Sequence, residues 1–588
     1  LPTLGTFGGG GGTGGLYVED PTWPAAWNRA LLTGDWGRSA VFHHPLKPAG
    51  PTFEIVQNDF ITVPRATGMD IDASGNLYIA SWWSGEASVY VGPHVGFVTR
   101  VRPRDAAPLE VPNLSDSTGP ELVQILRVSP AVLRFHTQGE ILHRGIEADM
   151  QTGLQQLATD GTASLASRVA ALFTLKQGLG TDSHAFLLER LADEELREFA
   201  IRTLTDRRSQ LSGMESATFV PYLHDPNPRV VVQAIIALGR LNDPLVVDAL
   251  LPLIEEGVLA SIDPGQPLSA AVIPHLAVQA AVRLGGTARC LAALEGPHWQ
   301  AALRVMRYQY DSQVVQGLSQ RLNAERDLER RNQILLTLIR LYQRETPYDG
   351  SWWGIRPDTT GPFYDPQVWA ESETIERIIR QSLLTADAET QTRLLAELRR
   401  HQVPWSDLPD APATDGPATD PIVVPLVDRN NPRQIGNLEY GAARQQTLTH
   451  LPTADPQAGA QLFQTRSCVA CHTSAAGQQP VGPHLADIGK RYPSEELIES
   501  ILKPSEKIAQ GYETQMFLLA DGQVVTGFVI SETGRQIWVR DSQGLTYKLE
   551  RSEIEERRRQ PLSAMPVGLV DSLEPQELAD LIAYLQSL

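Results

Sequence analysis

Apolar and polar positions change rhythm along this chain, and each change predicts a different kind of element. Up to about residue 105 the apolar residues alternate in short runs. Leu77-Tyr78-Ile79-Ala80-Ser81-Trp82 reads as a strand behind the turn Asp72-Ala73-Ser74-Gly75-Asn76, and Gly96 to Val101 reads as the next. Asp35-Trp36-Gly37-Arg38 followed by Val41 to Leu46 repeats that turn and strand earlier, after a run from Gly8 to Gly15 that is nearly all glycine. From about 120 to 400 the period becomes helical. An alanine four residues before a leucine recurs at Ala171/Leu175, Ala200/Leu204, Ala234/Leu238 and Ala280/Leu284, and the wider last interval predicts an insertion near Asp263-Pro264-Gly265. From 403 to 450 Pro, Asp and Thr dominate, which reads as a linker. Beyond it Asp455-Pro456 opens a helix with Gly459 and Phe463 on one face, and Pro575 opens a last helix through Leu578, Leu581, Ile582 and Leu585, with Tyr584 beside them. Between these helices, from about 513 to 550, alternation returns around the turns Asp521-Gly522 and Asp541-Ser542-Gln543-Gly544, predicting a small inserted antiparallel sheet.

Composition narrows the classes. A chain of 588 residues should carry several domains. Its 50 basic against 69 acidic side chains give a formal charge of −19, which argues against nucleic acid or an anionic membrane surface as partner. No apolar run is long enough to span a bilayer. The chain also lacks an initiator Met and a leader, so the expectation is a processed chain or a fragment. Of three cysteines, Cys290 stands alone in the helical region, which excludes a disulfide framework.

The other two cysteines carry the chemistry. Cys468-Val469-Ala470-Cys471-His472 is a C-x-x-C-H, whose spacing lets two thiols bond the two vinyl groups of a haem while His472 is delivered under the iron. A structural zinc site would want a second Cys or His pair, and a thioredoxin-like pair would want a strand in front of it, where a helix is predicted. For the sixth ligand, only Met516 and Met565 follow the motif. Met565 stands in a loop before the last helix, whereas Met516 lies in an alternating run and is expected to pack its sulfur in a core. If Met565 is not coordinated, water or a second histidine takes its place and the haem binds small ligands.

The glycine and the aromatic on the first and last helices resemble the crossing by which class I cytochromes c close over haem. Residues 451–588 resemble the planctomycete-type (PVC-type) haem-binding cytochrome c domain. The shared signatures are the C-x-x-C-H, Gly482-Pro483-x-Leu485, Ser500-Ile501-Leu502-x-Pro504-Ser505, Gly511-Tyr512-Glu513-Thr514, Asp521-Gly522 with Thr526-Gly527, Met565-Pro566-x-Gly568-Leu569, and Asp580-Leu581-Ile582-x-Tyr584-Leu585. The resemblance implies one covalent haem c on Cys468 and Cys471, with His472 and Met565 as axial ligands. The carbonyl of Pro483 is the expected acceptor for the other ring N–H of His472, and His484 is a rival ligand or a surface residue.

The helical stretch, best seen from Leu223-His224-Asp225-Pro226-Asn227-Pro228-Arg229 into Ala234 and on to Asp243-Pro244, resembles HEAT repeats, and an irregular helical bundle is its alternative. The run from Asp72 to Ala80 resembles a β-propeller blade, and residues 1–105 supply only two blades. The expected fold class is therefore multidomain: a partial β-propeller (1–105), an α-solenoid of HEAT-like repeats (106–402), a linker (403–450), and an all-α class I cytochrome c with a small inserted sheet (451–588). In the multidomain family this resembles, the propeller is similar to soluble quinoprotein sugar dehydrogenases such as glucose and sorbosone dehydrogenase. PQQ and calcium would belong to blades upstream of this chain, and no catalytic residue carries over.

The resemblance implies a periplasmic or secreted electron carrier that accepts electrons from oxidation of a sugar or alcohol and passes them to a redox partner protein or external acceptor. A non-catalytic scaffold that binds polysaccharide or protein, with a haem relay or sensor, is the alternative. Whether the chain is itself an enzyme stays open. His43 and His44, adjacent on a strand, point to opposite faces and read as a strand-edge polar pair rather than a shared metal site. The aromatic loop from Tyr348 to Trp369 reads either as a sugar or docking surface or as tryptophans plugging the solenoid, as Trp82 and Trp83 read as core and rim packing.

Overall fold

The computed structural model describes residues 12–588 except 37, 55, 83–95, 105–108, 255–268, 348–362, 364, 406–424, 467, 473–484, 486–487, 507, 509–512, 521–522, 533–535, 542–545 and 564. The chain divides into two compact units, Leu1–Gln309 and Tyr310–Leu588. The division falls inside the stretch that the sequence presents as one helical array.

The first unit begins with two small antiparallel sheets. Strands β1 (Gly12–Val18), β2 (Ala30–Asp35), β3 (Ala40–Pro45) and β4 (Asn58–Thr62) lie in chain order, as do β5 (Ala66–Ile71), β6 (Leu77–Trp82) and β7 (Gly96–Val101). Alternation drives both: every second side chain of β2 and β6 is buried, and Val18, Leu32, Val41, Leu77 and Ile79 share one core. The turn at Asp72 is built as its residues dictate. Its carboxylate accepts the backbone N–H groups of Ser74 and Asn76 at 2.9 Å and the Tyr78 hydroxyl at 3.1 Å. Burial pushes the Asp72 carboxyl up, but these hydrogen bonds outweigh it and hold the group below its usual range. Gly75 is required there, because φ is +78° and a Cβ would lie 2.6 Å from Thr22 Oγ1.

His43 and His44 depart from expectation. Strand β3 is internal, between β2 and β4, so they form no edge pair, and both are buried. The rings do lie on opposite faces. His44 bonds Thr33 Oγ1 at 2.8 Å and the Val56 carbonyl at 2.9 Å, while His43 packs edge-on against Trp27 at 4.9 Å. Burial lowers the affinity of both rings for a proton.

The helical array follows as α1 (Gly119–Val128), α2 (Ala131–Arg144), α3 (Ala148–Thr159), α4 (Leu165–Leu179), α5 (Arg197–Thr205), α6 (Pro228–Leu241) and α7 (Ser269–Leu284), with shorter helical turns between them. Ala171, Leu175, Ala200, Leu204, Ala234, Leu238, Ala280 and Leu284 are all buried, so the recurring pair marks the stacked face of successive helices. Asn227 caps α6, with Pro228 at the first helical position. The Arg229 guanidinium grips Glu198 on α5 through two bonds, of 2.8 and 2.9 Å. The insertion expected near residues 263–265 lies outside the described residues.

In the second unit α8 (Leu328–Leu341), α9 (Ser372–Thr385) and α10 (Ala388–Arg400) continue the helical pattern. Of the aromatic loop only its end is described. Trp369 donates its indole N–H to the Leu341 carbonyl at 2.6 Å, and Phe363 is buried under the Arg340 guanidinium, 3.9 Å from its ring centre. The presumed linker ends early. Tyr440–His450 is a helix, α11, whose Ala443 and Thr447 are buried, and Ile435 just before it donates its N–H to the Leu573 carbonyl at 2.8 Å. Polar composition conceals this segment because only every fourth residue is needed for contact.

The remainder is α12 (Pro456–Thr465), α13 (Ser494–Leu502), a five-stranded antiparallel sheet, and α14 (Pro575–Ser587). The inserted sheet is larger than its alternating pattern suggests. Strands β8 (Glu513–Leu519), β9 (Val524–Glu532), β10 (Gln536–Arg540) and β11 (Thr546–Glu550) are joined by β12 (Ile554–Ser563), which returns to pair with β8 in the order β11-β10-β9-β8-β12. The run Glu555-Glu556-Arg557-Arg558-Arg559 hides β12, since charged side chains blur the period of two. Phe517, Val525, Ile537, Val539 and Leu549 form the sheet's own core. Met516 points to the opposite face and is half-buried, so it does not fill that core as expected.

Candidate functional site

Helix α12 starts where the sequence places it. Asp455 accepts the Gln457 N–H at 2.8 Å and Pro456 takes the first helical position. Two turns are then enough to bring Gly459 and Phe463 onto α14. A Cβ on Gly459 would lie 2.6 Å from the Asp580 carbonyl carbon, 2.8 Å from Tyr584 Cβ, and closer still to the Asp580 oxygen, so the backbones touch at that glycine. One turn on, the rings of Phe463 and Tyr584 meet at 5.4 Å. The crossing has a second tie that the sequence pattern does not display. The Asp580 carboxylate, nearly buried, accepts the Asp455 N–H at 2.9 Å and the Gln576 amide at 2.9 Å. A buried acid in the middle of an apolar helix is the signal that could have revealed it.

The C-x-x-C-H follows the end of α12 directly. Cys468–Ala470 is a single 3-10 turn, closed by Cys471 N–H and His472 N–H donating to the Cys468 carbonyl at 3.2 and 2.9 Å. Both sulfurs therefore leave one turn, and neither is in a disulfide. Cys468 packs against the core formed by Phe463, Leu578, Leu581 and Leu585. Burial pushes its thiol up to about 11, with the neighbouring Cys471 adding to the rise, and burial raises Cys471 as well. Such surroundings favour the neutral thiol over the thiolate. Among the described residues no three His, Cys, Asp or Glu side chains gather as a metal site. The third cysteine, Cys290, is buried and pushed up to about 12, which makes it an inert packing group.

Met565 follows the last strand of the sheet. Strand β12 ends at Ser563, and Met565 lies half-buried before Leu569, Val570 and the start of α14. The Ser563 N–H donates to Ser505 Oγ at 3.1 Å, and Ser563 Oγ accepts the Met565 N–H at 3.1 Å. Leu485, from the segment expected to run beside the haem, packs on the same core, whereas Pro483 and His484 lie outside the described residues. The residues fit a covalent haem: an apolar floor, two thiols on one turn, and a histidine immediately beyond.

Known families match in two places. Residues 185–260 match the family model for HEAT repeats, and residues 456–524 match the one for cytochrome c. The chain carries a HEAT repeat region and a cytochrome c domain. The cytochrome c domain implies haem c and supports haem-based electron transfer. Its matched range includes Cys468, Cys471 and His472 and stops short of Met565. No curated protein matches the chain. Among solved structures, the complex of CpcE and CpcF of phycocyanin lyase from Nostoc sp. PCC7120 is 17% identical over 51% of this chain and 94% of that one, with a TM-score of 0.16, which carries no argument about fold or function. No helix among the described residues is long and apolar enough to cross a membrane.

Proposed function

We propose that the cytochrome c domain is a single-haem electron carrier in which Cys468 and Cys471 hold the haem covalently and His472 and Met565 are its axial ligands. The observation that carries this reading is the C-x-x-C-H turn seated on the core of the Gly459–Asp580 helix crossing, a core that also takes Val570 and Leu573 from the segment that follows Met565. When bound, haem supplies a one-electron iron centre, and a thioether ligand favours its reduced state. The chain's own residues exclude water through the Phe463, Leu578 and Leu581 core, fix the two thioether points on one turn, and tie the ligand loop to the sheet. Protein from a host that matures c-type cytochromes should keep its pigment in acidified acetone. Its oxidised form should show the weak far-red band of sulfur bound to ferric iron. Met565→Ala should remove that band and lower the reduction potential; a band that survives the substitution assigns the ligand elsewhere.

The domain is further proposed to be of the planctomycete-type and to belong to a periplasmic or secreted dehydrogenase acting on a sugar or alcohol. Residues 1–105 would be the last blades of its propeller. The Asp72 turn feeding β6, and two small antiparallel sheets sharing one core, support the blade reading. Dye reduction by a panel of sugars with PQQ and calcium, on protein that includes the upstream blades, tests it. Reduction by none of them would leave the scaffold reading, in which the array binds polysaccharide or protein.

A further inference from the structure

We infer that Ser505 and Ser563 are positioning residues for the sixth iron ligand, and that through them the inserted sheet sets how firmly the thioether is held. The inference rests on the reading of Met565 as that ligand. Three observations place the two serines in series. Ser505 follows the end of α13, in the segment Leu502-Lys503-Pro504-Ser505 whose Pro504 is buried and anchors the backbone there. That hydroxyl accepts the N–H of Ser563, the last residue of β12, at 3.1 Å. The Ser563 hydroxyl in turn accepts the N–H of Met565 at 3.1 Å. A helix end, a strand end and the ligand's own backbone are thus linked by two hydroxyl groups.

The sheet register explains why such a link is needed. Gln515 pairs with Arg559 and Glu513 with Ser563, so β12 advances four residues while β8 advances two. Extra residues in one strand of a pair bend it and turn its end away from the ladder. Ser563 is still paired with Glu513 but lies beyond the bulge, where the ligand loop begins, and Ser505 supplies the acceptor for its N–H. Upstream the strand is held firmly: Arg557 donates to Gln515 Oε1 at 2.7 Å, and its guanidinium lies 5.4 Å from the Phe517 ring centre. A rigid strand, a bulge and a hydroxyl-fixed end make a short arm with the methionine at its tip. A soft ligand two residues beyond a strand would otherwise leave iron whenever the loop flexed.

The test uses the full haem-loaded chain with imidazole as a competing ligand for ferric iron, read by loss of the far-red sulfur band. Ser563→Ala should let imidazole displace the methionine at about tenfold lower concentration, because the Met565 N–H loses its acceptor. Ser505→Ala should act in the same direction, and Ser563→Thr, which keeps the hydroxyl, should restore wild-type behaviour. Unchanged imidazole affinity in both alanine variants overturns the inference, as does a Thr variant as weak as the Ala variant. Met565→Ala is the separate check on the underlying reading. If it retains the band, the ligand assignment fails whatever the serine variants do; if it loses the band while the serine variants match wild type, only the positioning role fails.

Discussion

Placing one methyl group at Gly459 tests whether the helix crossing sustains the cytochrome domain. On an exposed helix, Gly→Ala stabilises by about 0.5–1 kcal/mol, because alanine loses less backbone freedom on folding. At Gly459 the methyl would meet the Asp580 carbonyl and Tyr584 Cβ at 2.6 and 2.8 Å, where ordinary contacts need about 3.5 Å or more. The nearest obstacles are main-chain atoms, which no rotamer change can clear, so α12 and α14 must part by about 1 Å. Overpacking of that kind costs about 1–3 kcal/mol, and loosening the Phe463–Tyr584 contact adds to it. After the propensity gain, the net expectation is a loss of about 1–2 kcal/mol. Gly441 is the internal control: it lies in α11, is exposed, and has nothing within 4 Å of its would-be Cβ, so Gly441→Ala should be neutral or stabilising. Equilibrium guanidinium unfolding of the haem-loaded protein, followed by haem absorbance, measures both. The reasoning is refuted if Gly459→Ala is as stable as wild type, or if the two substitutions shift the midpoint alike.

Asp580→Ala should cost about 1–3 kcal/mol in the same assay by leaving the Asp455 N–H without its acceptor, whereas Asp580→Asn, which keeps an oxygen there, should cost less; equal losses would show that the bond is not what matters. Asp72 has a folded-state pKa held below its unfolded value, so its contribution is fully present above pH ~4 and is lost as the pH falls through the depressed value. Asp72→Asn should therefore destabilise the first unit near neutrality and converge with wild type in acid, as followed by tryptophan fluorescence during denaturant unfolding at a series of pH values. A difference that persists unchanged into acid would contradict the hydrogen-bond account.

The parts of the fold that were legible are those where one local rule suffices. Asp455-Pro456 and Asn227-Pro228 announce helix starts through capping, and the Ala/Leu pairs announce a stacked face through a period that any amphipathic helix must obey. Where side chains do not follow the period, legibility fails. Helix α11 uses few apolar residues, β12 is crowded with arginine and glutamate, and His43 and His44 look like surface residues yet occupy an internal strand. Met516 was misread because alternation tells which residues share a face but not which face meets the core.

By itself the sequence brought the chemistry-bearing residues together. Two thiols and an imidazole within five consecutive residues are brought together by covalent connectivity alone, so the C-x-x-C-H turn needs no distant contact to be recognised. It also offered Gly459 and Tyr584 as a pair that would allow two helices to cross closely, which the structure shows. Only the tertiary structure decided how the loop that carries Met565 is held. The Ser505–Ser563–Met565 chain and the Asp455–Asp580 tie join residues 58 and 125 positions apart. Such bonds follow from the packing of whole elements, and no local propensity encodes them.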